Sequence, residues 1–342
     1  MCNRIYNYKI FTISLCAINW GTRLGKLTLS DISIPKPLIV ILGPTASGKT
    51  ELSYKLYEFI DSEFISADSR QIYKYLNIGT AKPSKQELKD FPFHIIDFLE
   101  PDEKFSTGNF LQLAKSEIEK IYLKNKVPII VGGTGLYIKA LCEGFLENDD
   151  KSNTDEIIRI QLNKELELKG KDFLYNKLLE IDKESALKYS DKNPRRVIRA
   201  LEFFYTTNHK FSDAHIQNTQ QSEYNSIYFG IDLTREHLYE NINQRCEKMW
   251  NNGLIDETKE ILAMGFSSSL NSLNTVGYKE AISFINNKMS YEDSLIEFKK
   301  NTRHYAKRQL TFFRQFNQTN WLNQNIQINY NLTKFLLKDF IK

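Results

Sequence analysis

Cysteine is scarce in this sequence. Cys2, Cys16, Cys142 and Cys246 lie far apart, with no CxxC pair and no Cys/His cluster, which excludes a zinc module and a disulfide framework and suits a reducing cytosol. An excess of one charge is also missing. Lys and Arg number 46 against 42 Asp and Glu, so the net charge of +4 cannot by itself mark a nucleic-acid binder, and only its distribution could. There is no internal repeat, which argues against a solenoid. The uncharged stretch Ile10 to Thr22 is 13 residues long and contains Thr12, Ser14 and Asn19, too short and too polar to span a bilayer. Acidic residues are absent before Asp31, and methionine is absent between Met1 and Met249. Residues 1–37 are therefore open to several readings: a dispensable extension, a targeting segment, a start assigned too early, or folded structure. What remains is ordinary for a globular chain: 41% hydrophobic and 26% charged residues over 342 positions, enough for one large domain or two of usual size.

From residue 38 the pattern reads strand, loop, helix. Leu38 to Leu42 is a continuous apolar run, as expected of a parallel strand buried on both faces. Further strands are expected at Glu63–Ala67, Phe93–Phe98, Val127–Val131 and Ile227–Leu233, with helices at 50–60, 106–124 and 135–143 between them. This alternation predicts an α/β fold with a parallel sheet over 38–144 and 223–316. Residues 145–222 have helical periodicity without a strand-like run and read as a helical insertion. Helices are expected again at 235–251, 254–264, 275–286 and 290–316. The Asn- and Gln-rich stretch from 317 reads as a loosely held peripheral tail extending to 342.

Gly43-Pro44-Thr45-Ala46-Ser47-Gly48-Lys49-Thr50 fits G-x-x-x-x-G-K-[ST] and directly follows the first apolar strand. The loop's N–H groups and the following helix N-terminus make an anion cradle. Lys49 is placed to neutralise an outer phosphate and the Thr50 hydroxyl to hold Mg²⁺. A diphosphate or triphosphate ligand follows. Asp97 and Asp68 each end a neighbouring strand, and Val131-Gly132-Gly133-Thr134-Gly135 ends a third without a carboxylate. Strand C-termini line the ligand crevice of α/β sheets, so Asp68 and Thr134 are expected beside the P-loop. The competing reading is that Asp68 only caps a turn.

Charge is concentrated in two places. Phe298 to Phe316 holds Lys299, Lys300, Arg303, Lys307, Arg308 and Arg314 with no acid, and Lys300, Arg303, Lys307 and Arg314 recur at helical spacing. Asn193-Pro194-Arg195-Arg196-Val197-Ile198-Arg199 adds a second cluster inside the helical insertion. Either alone reads as a solvated face; both beside one P-loop point to RNA.

GPTASGKT, SADSRQIYKYLNIGTAKPS, HIIDFLEP, VGGTGLY, NPRRVIRALEF, VGYKE and TRHYAKRQLTFFR together resemble, in this order, the bacterial tRNA dimethylallyltransferases, over roughly residues 36–316. The resemblance implies a cytoplasmic, monomeric, Mg²⁺-dependent transferase that moves the dimethylallyl group of dimethylallyl diphosphate to the exocyclic amine of the adenosine 3′ of the anticodon in tRNA. It implies a P-loop that holds the donor's diphosphate, with Asp68 accepting the amine proton, Thr134 beside the amine and Arg235 near the diphosphate. It assigns tRNA contacts to Asp68, Ser69, Arg70, Gln71, Thr134, Arg159, Arg195 to Arg199, Val276, Gly277, Tyr278, Lys279, Arg303 and Lys307. Arg70 and Arg195 stand where many relatives carry an uncharged residue. The alternatives are an adenylate isopentenyltransferase acting on AMP, a small-molecule kinase using Asp97 for Mg²⁺, and a non-catalytic P-loop RNA-binding protein.

Overall fold

A computed structural model describes residues 28–29, 36–144, 156–213, 222–323 and 325–341. Six parallel strands form one sheet in the order β3-β2-β4-β1-β5-β6. They are β1 (Pro37–Leu42), β2 (Ser62–Ala67), β3 (Phe93–His94), β4 (Val127–Gly132), β5 (Asn225–Ile231) and β6 (Thr319–Leu322). Every residue of β1, β2 and β4 is buried, which explains their lack of polar alternation.

Alternate residues of β1 serve two layers. Leu38, Val40 and Leu42 face one side, with Phe110 and Ile118 of α3 (Thr107–Leu123) and Ile138 of α4 (Gly135–Glu143). Ile242 of α8 (Arg235–Met249) and Phe298 and Phe313 of α11 (Tyr291–Phe313) belong to the same cluster. Ile39 and Ile41 face the other side, with Leu52 and Leu56 of α1 (Lys49–Tyr57) and Leu337 of α12 (Ile326–Ile341). Helices α5 (Glu156–Ile181), α6 (Lys183–Lys188) and α7 (Pro194–Thr207) form the insertion around a core of their own, including Leu174, Leu178, Val197 and Leu201. Among the described residues the remaining helices are α2 (Lys85–Asp90), α9 (Ile255–Ala263) and α10 (Tyr278–Ile285), with a π-helical turn at Trp250–Leu254 joining α8 to α9.

Three expectations are corrected. The tail is not loose. Its Thr319–Leu322 segment pairs with β5 as the sixth strand, and α12 packs on α1, with Leu322 and Leu337 buried at about 1.5–3 kcal/mol each. The strand expected at Phe93–Phe98 stops at His94, because Ile95 and Asp97 have φ of 58° and 55° and turn the chain beneath Gln71 and Ile72. The helix expected from 275 begins at Tyr278, because Gly277 adopts φ 100°, outside helical space. Within residues 1–37, Leu29 donates its N–H to the Asn125 carbonyl at 3.3 Å and Pro37 opens β1. Residues 1–27 and 30–35, with the stretch from Ile10 to Thr22, lie outside the described residues.

Candidate active site

The loop after β1 closes as the sequence pattern requires. Gly48 sits at φ 92° immediately before α1, a conformation that a side chain would strain, and Lys49 and Thr50 open the helix. Lys49 Nζ folds back over the loop and donates to the Pro44 carbonyl at 2.7 Å. Two other helices grip the loop from outside. Asn241 Nδ2 of α8 donates to the Ala46 carbonyl at 3.2 Å, and the Thr45 N–H donates to Gln309 Oε1 of α11 at 2.9 Å.

Two strands away, β2 delivers Asp68. Its Oδ1 accepts the Arg70 N–H at 2.8 Å and the Gln71 N–H at 3.4 Å, so the turn-capping role is real. No hydrogen bond from the described residues reaches Oδ2, which leaves half of the carboxylate uncommitted. Thr134 Oγ1 accepts the Ser69 N–H at 3.0 Å, and the Thr134 N–H donates to the Ala67 carbonyl at 3.0 Å. Thr134 therefore steadies the turn that presents Asp68. The β4 end can approach so closely because position 132 is glycine; a Cβ there would strike the Ala67 carbonyl oxygen.

These strand ends share one cavity of about 450 Å³, lined by Thr45, Lys49, Thr50, Asp68, Arg245 and Tyr305 among others. That volume fits a small ligand. Its electrostatics are unbalanced in a telling way. Removal from water, together with the Arg245 guanidinium, pushes the Lys49 ammonium down to about 7, against the pull of Asp68. Burial likewise lowers Arg245, again opposed by Asp68, and burial raises the Tyr305 phenol, with Asp68 adding to the rise. Two half-buried cations in one cavity, with Arg245 lowering the affinity of Lys49 for its proton, mark a place that gains from an anion.

Arg245 is the residue the sequence reading missed. The expected arginine, Arg235, lies exposed at the start of α8 with its guanidinium 5.1 Å from the Tyr239 ring centre, and it does not line the cavity. Asp97 is outside it too, bonded to the buried Lys82 ammonium at 2.5 Å.

Of the residues assigned to tRNA contact, Asp68, Ser69, Arg70, Gln71, Arg195, Val276 and Lys279 line the cavity; Arg195 and Lys279 are exposed there and Arg70 is half-buried. Arg70 donates to the Asn271 carbonyl at 2.8 Å, and Gln71 Nε2 donates to the carbonyls of Thr80 and Ala81. Several others are corrected by burial. Tyr278 is 0% exposed and donates its hydroxyl to Glu257 Oε1 at 2.6 Å, a carboxylate that also takes the N–H groups of Asn77, Ile78 and Gly79. Burial and Glu257 raise its phenol well above the usual value. Tyr278 thus braces the loop after Asp68 and is unavailable to RNA. Gly277 is buried as well, and Val197 and Ile198, 1% and 7% exposed, belong to the insertion's own core. Arg159 and Arg199 both reach Glu202 Oε2, at 2.7 and 3.3 Å, while Arg196 lies 3.7 Å from Asp191.

The basic stripe on α11 is also re-sorted. Lys299 pairs with Glu247, Lys300 with Glu297 and Arg314 with Asp232. Among the described residues Arg303, Lys307 and Arg308 have no acidic partner. Arg303 bonds Asn243 Oδ1 at 2.8 Å, and Arg308 lines the cavity over the Tyr305 ring. Lys307 is exposed on the same helix, so the helix keeps a net positive face beside the cavity mouth.

A P-loop at the C-terminal end of a parallel sheet, with a carboxylate and two half-buried cations lining one cavity, defines an α/β protein built to hold an anionic ligand. The chain belongs to the IPP transferase family, whose model matches residues 71–316. It is 40% identical to the tRNA dimethylallyltransferase of Alkaliphilus oremlandii over 306 residues, 89% of this chain and 97% of that one. It is 39% identical to that of Clostridioides difficile over 312 residues, 90% and 99% of the two chains. Among solved structures it resembles the full-length tRNA isopentenylpyrophosphate transferase from Bacillus halodurans, with a TM-score of 0.66, 35% identity and coverage of 90% and 98%. It also resembles a eukaryotic dimethylallyltransferase acting on tRNA, with a TM-score of 0.73, 27% identity and coverage of 85% and 74%.

Proposed function

We propose that this protein transfers the dimethylallyl group of dimethylallyl diphosphate to the exocyclic amine of the adenosine 3′ of the anticodon in tRNA, releasing diphosphate. The observation that carries the reading is one cavity that the P-loop, Lys49 and Arg245 share with Asp68, with Arg70, Arg195, Lys279 and Arg308 lining it from four separate segments. The P-loop and its two cations bind the diphosphate and stabilise its charge as the allylic carbon–oxygen bond breaks. The amine nitrogen forms the new bond to that carbon and gives up a proton, which Asp68 Oδ2 is free to accept. Thr134 and Gly132 hold the turn that aims this carboxylate.

A divalent cation fits the donor set. Thr50 places a hydroxyl at the first turn of α1 within the same cavity, and Mg²⁺ is held by few protein oxygens when phosphate oxygens supply the rest. Bound there by Thr50 and the donor, it would neutralise charge on the leaving diphosphate.

Free AMP would have no use for the insertion or for the unpaired cations of α11, and a base in an anticodon loop must be splayed out to enter such a cavity. A kinase reading lacks its carboxylate, since Asp97 is bonded to Lys82 away from the cavity. Incubation with labelled dimethylallyl diphosphate and either tRNA or AMP tests the assignment. Label in tRNA supports it, and label in AMP alone overturns it.

Two further results are expected. Neutralising Arg303 and Lys307 should weaken binding to all tRNAs alike and flatten the slope of log affinity against log salt by up to about two units. An unchanged slope would show that this helix face is only solvated. Binding of the diphosphate should also be linked to protons. The ligand favours charged Lys49, whose ammonium is pushed down to about 7 in the free protein. Affinity should therefore be greatest below pH 7 and fall by up to about tenfold per unit as pH rises above it, until the bound-state value is reached. Lys49→Arg, always charged, should remove that fall. Calorimetric titrations with dimethylallyl diphosphate between pH 6 and 9 would measure both, and parallel profiles for the two proteins would refute the linkage.

A further inference from the structure

One buried side chain joins the donor loop, the end of β4 and the basic helix. Gln309 lies on α11, 8% exposed, next to Arg308 and one turn beyond Tyr305. Its Oε1 accepts the Thr45 N–H of the P-loop at 2.9 Å, and its Nε2 donates to the Gly133 carbonyl at 2.9 Å. Gly133 precedes Thr134, whose hydroxyl takes the Ser69 N–H beside Asp68. The path from donor cradle to proton acceptor is thus bridged by one amide. Flipping that amide would set its NH₂ against an N–H and its oxygen against a carbonyl, so the bonding partners define its orientation. A Cβ on residue 133 would collide with Gln309 Nε2, so the glycine there is what lets the amide reach the backbone.

Only an amide both accepts and donates at this length. Glutamate keeps the acceptor for Thr45 but opposes the Gly133 carbonyl with a second oxygen, and methionine has neither function. The bond to Thr45 lies before the stretch from Ser47 to Thr50, so the clamp sets where the cradle sits without supplying its charge. On the assignment of donor and acceptor sites made above, we propose that Gln309 is a positioning residue for the transfer step. It holds the P-loop at the separation from Asp68 at which the allylic carbon meets the amine.

Misplacing reacting atoms by about 1 Å costs rate by as much as about 10²-fold, while the binding contacts themselves survive. Gln309→Met should therefore lower the single-turnover rate at saturating tRNA and dimethylallyl diphosphate by about 10- to 100-fold. Dissociation constants for dimethylallyl diphosphate and for tRNA should stay within about threefold of wild type. Gln309→Glu should lose rate as well, through the Gly133 half of the clamp alone. Gly133→Ala, which leaves Gln309 in place but forces its amide away, should reproduce the loss, and it keeps the proposal testable should the methionine variant fold poorly. A single-turnover rate within threefold of wild type in Gly133→Ala or in folded Gln309→Met would overturn the proposal. So would a rate loss matched by an equal loss of donor affinity. Should wild-type protein label AMP and not tRNA, the tRNA assignment falls separately, and the same comparison of variants is then read on AMP.

Discussion

Lys49→Ala should cut the rate of transfer by at least about 10²–10³-fold, the cost of removing one preorganised group that faces developing negative charge. The geometry explains why the loss falls on the chemical step. In the free protein the ammonium is tethered to the Pro44 carbonyl, folded over the loop in the cavity that Arg245 and Asp68 also line. Charge on the leaving diphosphate grows as the allylic bond stretches, so the interaction is stronger in the transition state than in the ground state. The α1 N-terminus, the loop N–H groups and Arg245 remain in the variant, and donor affinity should drop far less than rate. Affinity for tRNA should be nearly unchanged, because the exposed cations Arg195, Lys279 and Arg308 and the half-buried Arg70 are untouched. Single-turnover rates and separate binding isotherms for tRNA and donor measure each part. A variant that keeps its turnover and loses tRNA affinity would remove the P-loop from the donor site.

Local chemistry explains what was legible in the sequence. The run from Leu38 to Leu42, the two P-loop glycines and the GKT ending each constrain their own backbone, and β1, the loop and α1 follow. Asp68 could be placed because a strand that ends in a carboxylate puts it at the sheet's C-terminal edge. Arg245 could not. It lies mid-way along α8 in a highly polar segment, and only the packing of α8 against α11 decides that Arg245, and not Arg235, enters the cavity. The same holds for the basic stripe: Lys299 and Arg314 read as free cations until Glu247 and Asp232 approach from elsewhere in the chain. Tyr278 looked like an RNA contact because its partner, Glu257, lies 21 residues away on another helix. The tail was misread for a compositional reason. Only Leu322 of β6 is buried, so Thr319-Asn320-Trp321 carries little apolar signal for an edge strand.

Asp68→Asn should slow the chemical step by about 10²–10⁴-fold, the usual range for a lost general base. The structure makes this substitution unusually discriminating. Asp68 has two jobs, capping the turn through Oδ1 and facing the cavity's cations. Asparagine keeps an oxygen that accepts the Arg70 and Gln71 N–H groups, so the turn and the Ser69 bond to Thr134 persist. What it loses is the charge and the capacity to take a proton. The adenine amine needs both, because its lone pair is delocalised into the ring and the proton must leave as the new bond to carbon forms. Stability should therefore stay close to wild type, as should donor affinity at low pH, where Lys49 is charged in both proteins, while the single-turnover rate at saturating tRNA and donor collapses. Removing the carboxylate also leaves Lys49 and Arg245 without their counter-charge, so the Lys49 ammonium should fall further below its usual value and the pH dependence of donor binding should shift to lower pH. A rate within about threefold of wild type would reduce Asp68 to the turn cap alone and leave the proton acceptor to be sought elsewhere in the cavity.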